Sequence, residues 1–147
     1  MKKLKWGQIM LAGFVAGLAF MFIETIYEGM LWLVFRISEN RQFQALFPHY
    51  DPSGTRFILV NFAILFAEMI LVMFLYALIR PRFKTKPGAV LCASGIYWTA
   101  VYLIFANHVN LGVLPLSVLW PGIVNNIVEL PLSVLIASSM IKDNPQV

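Results

Sequence analysis

Three long stretches of this chain carry almost no charge, and this constrains the fold more than any other feature. Together they contain four formally charged side chains, all glutamates. A helix that crosses a membrane needs about 20 mostly apolar residues, and each stretch is at least that long. The pattern therefore predicts a protein that crosses a membrane several times. The stretches are residues 6–35, 57–79 and 87–141, and the glutamates are Glu24, Glu28, Glu68 and Glu129.

The composition supports this prediction. Of the 147 residues, 60% are hydrophobic and 12% are charged, whereas a soluble domain is about half apolar and a quarter charged. A soluble chain of this length could not bury so much apolar surface. These values argue against a soluble enzyme domain, a disordered chain and a disulfide-stapled secreted module. Cys92 is the only cysteine, so the chain has no intrachain disulfide.

The third stretch is too long for one crossing. The polar turn at residues 107–112 divides it into two helices. We therefore predict an all-α fold, an integral membrane four-helix bundle that forms a single transmembrane domain over residues 1–147. The predicted spans are residues 7–35, 57–79, 88–107 and 113–140, each boundary to within about 2–4 residues.

The N-terminus begins with lysines and then becomes apolar, as a signal peptide does. The apolar run is longer than that of a signal peptide, and no small-residue cleavage site leads into polar sequence. We therefore predict an uncleaved first span.

Lysine and arginine predict the orientation of the spans. Eight of the eleven fall on one side of the predicted membrane, at residues 2–5, 80–86 and 142, and three fall on the other, at residues 36–56. The positive-inside rule places both termini and the 80–86 loop in the cytoplasm. The same clusters account for the net charge of +4. Without an alternation of aromatic and basic residues, this charge does not predict nucleic-acid binding.

The loop after the first span has a pattern of its own. Phe43, Leu46, Phe47 and Tyr50 recur at helical spacing. This predicts a short amphipathic helix at the outer membrane interface, between spans 1 and 2. A connector that covers the end of the bundle is the favoured interpretation, and a gate or docking surface is the alternative.

The glutamates inside the predicted spans are the most informative residues. An ionisable group in hydrocarbon costs several kcal/mol, so it usually faces the bundle interior and often marks function. On the first helix Glu24 and Glu28 share an arc of about 60° with Gly13 and Gly17. Glycines at this spacing allow close helix approach. Counted from the outer ends of the spans, Glu24 and Glu68 both lie about 18 Å deep, which predicts that they meet near the middle of the membrane.

Each of the other helices also has a polar face. These faces can meet in one bundle core, since a helix buries one stripe against its neighbours. The supporting polar side chains are Asn61 on the second helix, Thr99 and Tyr102 on the third, His108 at its end, and Asn126 beside Glu129 on the fourth.

A carboxylate cluster of this kind suits the binding or relay of a proton or a small cation, because no lysine or arginine lies inside the bundle to neutralise it. In this hypothesis Glu24 and Glu68 are the central acids and Glu28 is the outer relay. Glu129 and Asn126 form the inner side. Glutamates with a histidine can also hold a metal ion, but the Glu-x-x-His pairs of di-iron bundles are missing. The sequence therefore does not identify a metal.

The alternative hypothesis is a non-catalytic accessory subunit of a larger membrane complex; a homo-oligomer is a separate possible assembly. Protonated glutamates would then hold the helices together through hydrogen bonds to the asparagine, threonine and tyrosine side chains of the same faces. Motifs of soluble enzymes are absent, so neither an enzymatic activity nor a cofactor is predicted. His108 is interpreted as a solvated interfacial residue rather than a haem ligand.

One stretch resembles a family pattern. Residues 75–83 read Leu-Tyr-Ala-Leu-Ile-Arg-Pro-Arg-Phe, and Lys-Pro-Gly-Ala-Val follows at residues 86–90 before a span that contains Trp98. Together with Gly13 and Gly17, this resembles an uncharacterised group of small four-pass bacterial inner-membrane proteins with a Tyr-Ala-x-x-Arg-Pro-Arg-Phe/Tyr stretch after the second span. The resemblance implies four passes and a bacterial inner membrane, and it supplies no activity.

The sequence departs from that pattern at residues 84–86, where Lys-Thr-Lys stands in place of a more glycine-rich turn. The arginines of the motif have a physical role of their own. Arg80 and Arg82 follow the second span on the predicted cytoplasmic side, where they are expected to bind the phosphate headgroups of anionic lipids in the bilayer.

Overall fold

A computed structural model of the protein describes residues 5–35, 45–46, 54–113 and 115–141. These residues form an all-helical fold with four long helices, which confirms the prediction of an all-α chain with four helices. No strand occurs in this part of the chain. The helices are α1 (Trp6–Met30), α2 (Thr55–Ile79), α3 (Lys86–Asn110) and α4 (Leu116–Ser138).

The connection between α2 and α3 is built from the arginine motif. A 3-10 turn over Arg80–Arg82 follows α2, with Pro81 inside it. Thr85 then caps α3, because its Oγ1 accepts a hydrogen bond from the Gly88 backbone N–H at 3.3 Å. Pro87 stands in the first turn of α3, where a missing N–H costs nothing. This short connection makes the two helices antiparallel neighbours.

The other helix ends lie within about four residues of the predicted span ends. Helix α1 continues into a π-helical turn over Leu31–Phe35. Helix α3 runs to Asn110, so the turn is confined to the residues that follow, with Gly112 at φ 71°. Helix α4 is continuous through Pro121 and Pro131. The predicted amphipathic helix at residues 43–50 lies outside the described residues, except for Ala45 and Leu46, which are helical and exposed.

The four helices pack as a bundle in which α2 and α4 also contact each other across the diagonal. Helix α1 contacts α2 and α4, and α3 contacts the same two helices from the other side. Helices α1 and α3 make no contact with each other within the described residues, so they lie diagonally opposite. Each neighbouring pair can therefore place side chains into one shared interior.

Tight packing is concentrated in one half of this bundle, which we call the closed half. It comprises residues 9–17 of α1, 69–79 of α2, 86–94 of α3 and 129–138 of α4. All but two of the buried described residues lie there; the exceptions are Phe20 and Asn125. The buried side chains of the closed half are Ile9, Ala12, Ala16, Met69, Val72, Met73, Tyr76, Ala89, Val90, Ala93, Ser94, Glu129, Leu130, Ser133, Val134, Ala137 and Ser138.

Two glycines bring α1 into contact with α2. A Cβ on Gly13 would lie 2.6 Å from the Cα of Ile70, and a Cβ on Gly17 would lie 2.5 Å from the ring of Phe66. Both distances are too short for any residue other than glycine without movement of the neighbour. The close helix approach predicted from these glycines is therefore present.

The outer surface of the bundle is strongly apolar. Helices α1, α2 and α3 are long and apolar enough to cross a membrane, and residues 123–138 of α4 form a shorter apolar helix. Large hydrophobic side chains are exposed on every helix, with Phe22 of α1 at 69% and Leu103 of α3 at 68%. In water such a surface would be unfavourable over so wide an area.

Candidate functional site

The half of the bundle opposite the closed half contains a cleft of about 680 Å³. We call this part of the molecule the open half. All four helices contribute to the walls of the cleft, and several lining residues, such as Asn61, Phe62 and Ile64, are exposed. Its polar lining residues are Glu24 and Thr25 of α1, Asn61 and Glu68 of α2, Tyr97, Trp98 and Tyr102 of α3, and Asn126 of α4.

Glu68 lies at the deep end of the cleft and is half-buried, next to Met69, the first buried residue of α2 in the closed half. The Tyr97 side chain forms a hydrogen bond with Glu68, and the phenolic O–H is the donor to the carboxylate. This bond joins α2 to α3. A hydrogen bond to a charged carboxylate is about twice as strong as one between neutral groups.

Tyr97 was missed by the sequence argument, which selected Thr99 on the same helix. Thr99 is exposed and lies outside the cleft lining. A signal for Tyr97 was present, because Ala89, Ala93 and Tyr97 repeat at a spacing of four and form the face that packs inward. At 100° per residue, Thr99 points about 120° away from Ala93, the middle residue of this face.

Glu24 lies at the other end of the cleft, at a different level from Glu68. Gly17 packs on Phe66, so Glu24, seven residues farther along α1, is level with Leu59 of the antiparallel α2. Glu68 lies nine residues from that level, which separates the two acids by about 14 Å along the bundle axis. The expectation that they share one depth is therefore wrong, because α1 extends beyond the start of α2.

The wall formed by α3 and α4 contains a second polar pair. The Asn126 side-chain N–H donates to the Tyr102 hydroxyl at 3.3 Å. The Tyr102 ring also contacts Trp98, with centroids 4.6 Å apart, and Phe105 at 5.8 Å. These three rings form a continuous aromatic wall along α3, which we call the aromatic ladder. On the opposite wall the Asn61 side chain donates to the Phe57 backbone carbonyl oxygen at 2.9 Å.

One donor in this wall is buried without an acceptor. The indole Nε1 of Trp98 is shielded from solvent and has no hydrogen-bond partner among the described residues. A buried donor left in this way costs about 1–3 kcal/mol. Unsatisfied polar groups of this kind are uncommon in folded proteins and occur at functional sites.

Glu129 occupies a different place from the other acids. It is 1% exposed, lies in the closed half and is not part of the cleft lining. Ser133, one turn farther along α4, is completely buried, and its hydroxyl lacks a hydrogen-bond partner within the described residues. Buried polar side chains therefore continue beyond the deep end of the cleft.

The remaining predicted residues lie away from the cleft. Glu28, the outer relay of the sequence hypothesis, is exposed and does not line the cleft, so the function proposed below leaves it out. His108 is half-buried at the end of α3, and its Nδ1 donates to the Ile104 carbonyl oxygen at 2.8 Å. In the turn after α2, the Arg80 guanidinium donates to the Phe83 carbonyl oxygen at 2.7 Å, and Arg82 is exposed.

The cleft has a clear charge character. Its described lining residues include two glutamates and no lysine, arginine or histidine. No three histidine, cysteine, aspartate or glutamate side chains in the described ranges come close enough together to hold a metal ion. A cation in this cleft would therefore contact one carboxylate at a time, together with hydroxyl, amide and aromatic groups.

Comparison of the chain with models of known protein families, with curated proteins and with solved structures finds no match.

Proposed function

We propose that this chain is an integral membrane protein that binds or relays a proton or a small cation through the carboxylates of its cleft. Its placement in a bilayer is supported by the three long apolar helices and by the exposed apolar surface of all four. The basic clusters support cytoplasmic termini, and the resemblance of residues 75–98 supports a bacterial inner membrane. Arg80 and Arg82 would then contact anionic lipid headgroups.

The pair formed by Glu68 and Tyr97 carries this proposal. The carboxylate lines a cleft, accepts a hydrogen bond from a tyrosine and faces no basic residue among the described lining residues. A carboxylate that only joins helices would have no need of a cleft beside it. A carboxylate that exchanges a cation or a proton needs both a route to it and a hydrogen-bond donor to orient it.

The relay part of the proposal depends on what lies beyond the deep end. Glu129 and Ser133 are buried on one face of α4, one helical turn apart. Both lie in the closed half, outside the described lining of the cleft, and a relay would connect them with Glu68. Protons move along such lines of carboxyl and hydroxyl groups in membrane proteins.

The experiment that tests this proposal uses purified protein in liposomes that contain a pH-sensitive dye. An imposed membrane potential should drive proton entry through the wild type, and Glu68→Gln should abolish it. Glu28→Gln is the matched control, since Glu28 is an exposed acid outside the cleft, and we expect it to leave the flux unchanged. Absence of flux in the wild type, or its persistence in Glu68→Gln, would contradict a relay function.

An accessory subunit remains the second candidate because of one observation. Two polar pairs among the described residues, Glu68 with Tyr97 and Tyr102 with Asn126, join α3 to a neighbour, as polar residues that hold helices together do. Glu68→Gln keeps an acceptor for Tyr97, whereas Tyr97→Phe removes the bond. If the accessory hypothesis holds, Glu68→Gln behaves as wild type and Tyr97→Phe weakens co-purification with partner subunits.

A further inference from the structure

We propose that the ligand of the cleft is a hydrophobic organic cation, an amine or onium compound that carries aromatic or alkyl groups. This inference rests on the proposed cation-binding function and names the substrate class of the same site. Three properties of the cleft support it: its size, the chemistry of its walls and the distribution of charge along it.

The size of the cleft exceeds what a proton or a bare metal ion requires. Its volume is about 680 Å³, whereas one water molecule occupies about 30 Å³ in the liquid. Sites for organic ligands range from about 300 to 1,000 Å³. The cleft therefore has the volume of a site for an organic molecule of several rings or a long alkyl group.

The walls of the cleft are aromatic on more than one side. The aromatic ladder of Trp98, Tyr102 and Phe105 forms the α3 wall, and Phe20 and Phe62 contribute rings from α1 and α2. Ring faces attract cations by about 0.5–2 kcal/mol each and also contact apolar groups well. A small inorganic cation would use only a few of these contacts, whereas an organic cation would use most of them.

The charges select the sign of the ligand and its orientation. Glu68 lies beside the start of the aromatic ladder, since its partner Tyr97 precedes Trp98, and Glu24 lies at the other end of the cleft. No basic side chain among the described lining residues would stabilise an anion. A ligand with its cationic group at Glu68 and its apolar body along the aromatic ladder would match both the charge and the apolar walls of the cleft.

The test compares two ions of nearly the same shape and opposite charge, tetraphenylphosphonium and tetraphenylborate. Their binding to the purified full-length protein in a non-ionic detergent is measured by isothermal titration calorimetry. We expect saturable binding of tetraphenylphosphonium with one site per chain, and none of tetraphenylborate. Glu68→Gln should weaken binding by about tenfold or more, because it removes a charged contact. Glu28→Gln, outside the cleft, should bind as the wild type does.

Three results would overturn the inference: no saturable binding of tetraphenylphosphonium, equal binding of tetraphenylborate, or wild-type affinity in both Glu68→Gln and Glu24→Gln. If Glu68→Gln does not fold, as judged by gel filtration and circular dichroism, Glu24→Gln and Trp98→Leu carry the test, and each should weaken binding. Proton flux that depends on Glu68, without binding of the phosphonium ion, would overturn this inference alone. Absence of both would overturn the proposed function as well.

Discussion

The same four helices pack closely in one half of the bundle and lie apart around a cleft in the other. In the closed half, glycine and alanine bring the backbones together, and residues such as Ala12, Ala16 and Ala93 are completely buried. In the open half, aromatic and polar side chains keep the helices apart around a cleft. Because the helices are continuous, the small residues at one end hold the large residues at the other end in place.

If the cleft binds a ligand as proposed, function and stability are separated between the two halves. Helix association in a membrane depends on close van der Waals contact, since lipid is as apolar as the side chains it replaces. In the membrane placement proposed above, the closed half would supply that contact. The open half has less contact between helices, and its carboxylates, tyrosines and amides are the groups that would interact with a ligand.

The largest expected effect comes from a substitution that disrupts helix packing in the closed half. Gly13→Leu places a side chain where even a Cβ would lie 2.6 Å from the Ile70 backbone, so the helices must separate. We expect a loss of about 3 kcal/mol or more in the free energy of unfolding, measured by denaturation in mixed micelles. Gly95→Leu is the matched control, because nothing lies within 4 Å of a Cβ there. Equal losses in the two variants would refute close packing at Gly13.

A smaller effect is expected from the truncation of a buried methionine, compared with the same truncation of an exposed one. Met73 is completely buried in the closed half, whereas Met10 of α1 is 51% exposed. Met73→Ala leaves a cavity and should lower the free energy of unfolding by about 2 kcal/mol. This is the low end for such substitutions, because a helix that is already in lipid gains little from the transfer of the side chain out of water. Met10→Ala should change the free energy of unfolding by less than about 0.5 kcal/mol. A similar cost for both would mean that the closed half is not tightly packed.

The smallest effect concerns the open half. The Asn126 to Tyr102 hydrogen bond crosses from α4 to α3 at 3.3 Å. A double-mutant cycle with Asn126→Ala and Tyr102→Phe should give a coupling energy of about 0.6 kcal/mol, the usual value for such bonds between membrane helices. The same denaturation assay measures it. Additive losses would show that the pair contributes no stability and would sharpen the contrast between the halves.

Much of the fold could be predicted from the sequence, because it depends on local pattern. The long uncharged stretches predict the four helices, and Gly13 and Gly17 predict the close contact of α1 with α2. Both features depend on residues whose effect is local and does not require the position of other helices to be known. The polar turn likewise places the α3 to α4 connection within a few residues.

The arrangement of the site could be predicted only in part, because it depends on how helices slide and rotate against each other. Counting from the span ends placed Glu24 and Glu68 at one depth, whereas the contact of Gly17 with Phe66 sets a register that separates them. A rotation of α3 brings Tyr97 to the cleft and leaves Thr99 exposed. Neither the register nor the rotation follows from one helix considered alone.

The contact between Gly13 and Ile70 has a mechanical consequence. Packed helices cross at a range of angles, and a change of crossing angle about this contact would move the far end of α1 more than the contact itself. Glu24 lies eleven residues farther along α1, at the end of a lever arm of about 16 Å. A change of about 5° in the crossing angle would move Glu24 by about 1.4 Å at that distance. A small change of the crossing angle in the closed half would thus produce a larger displacement at the mouth of the cleft.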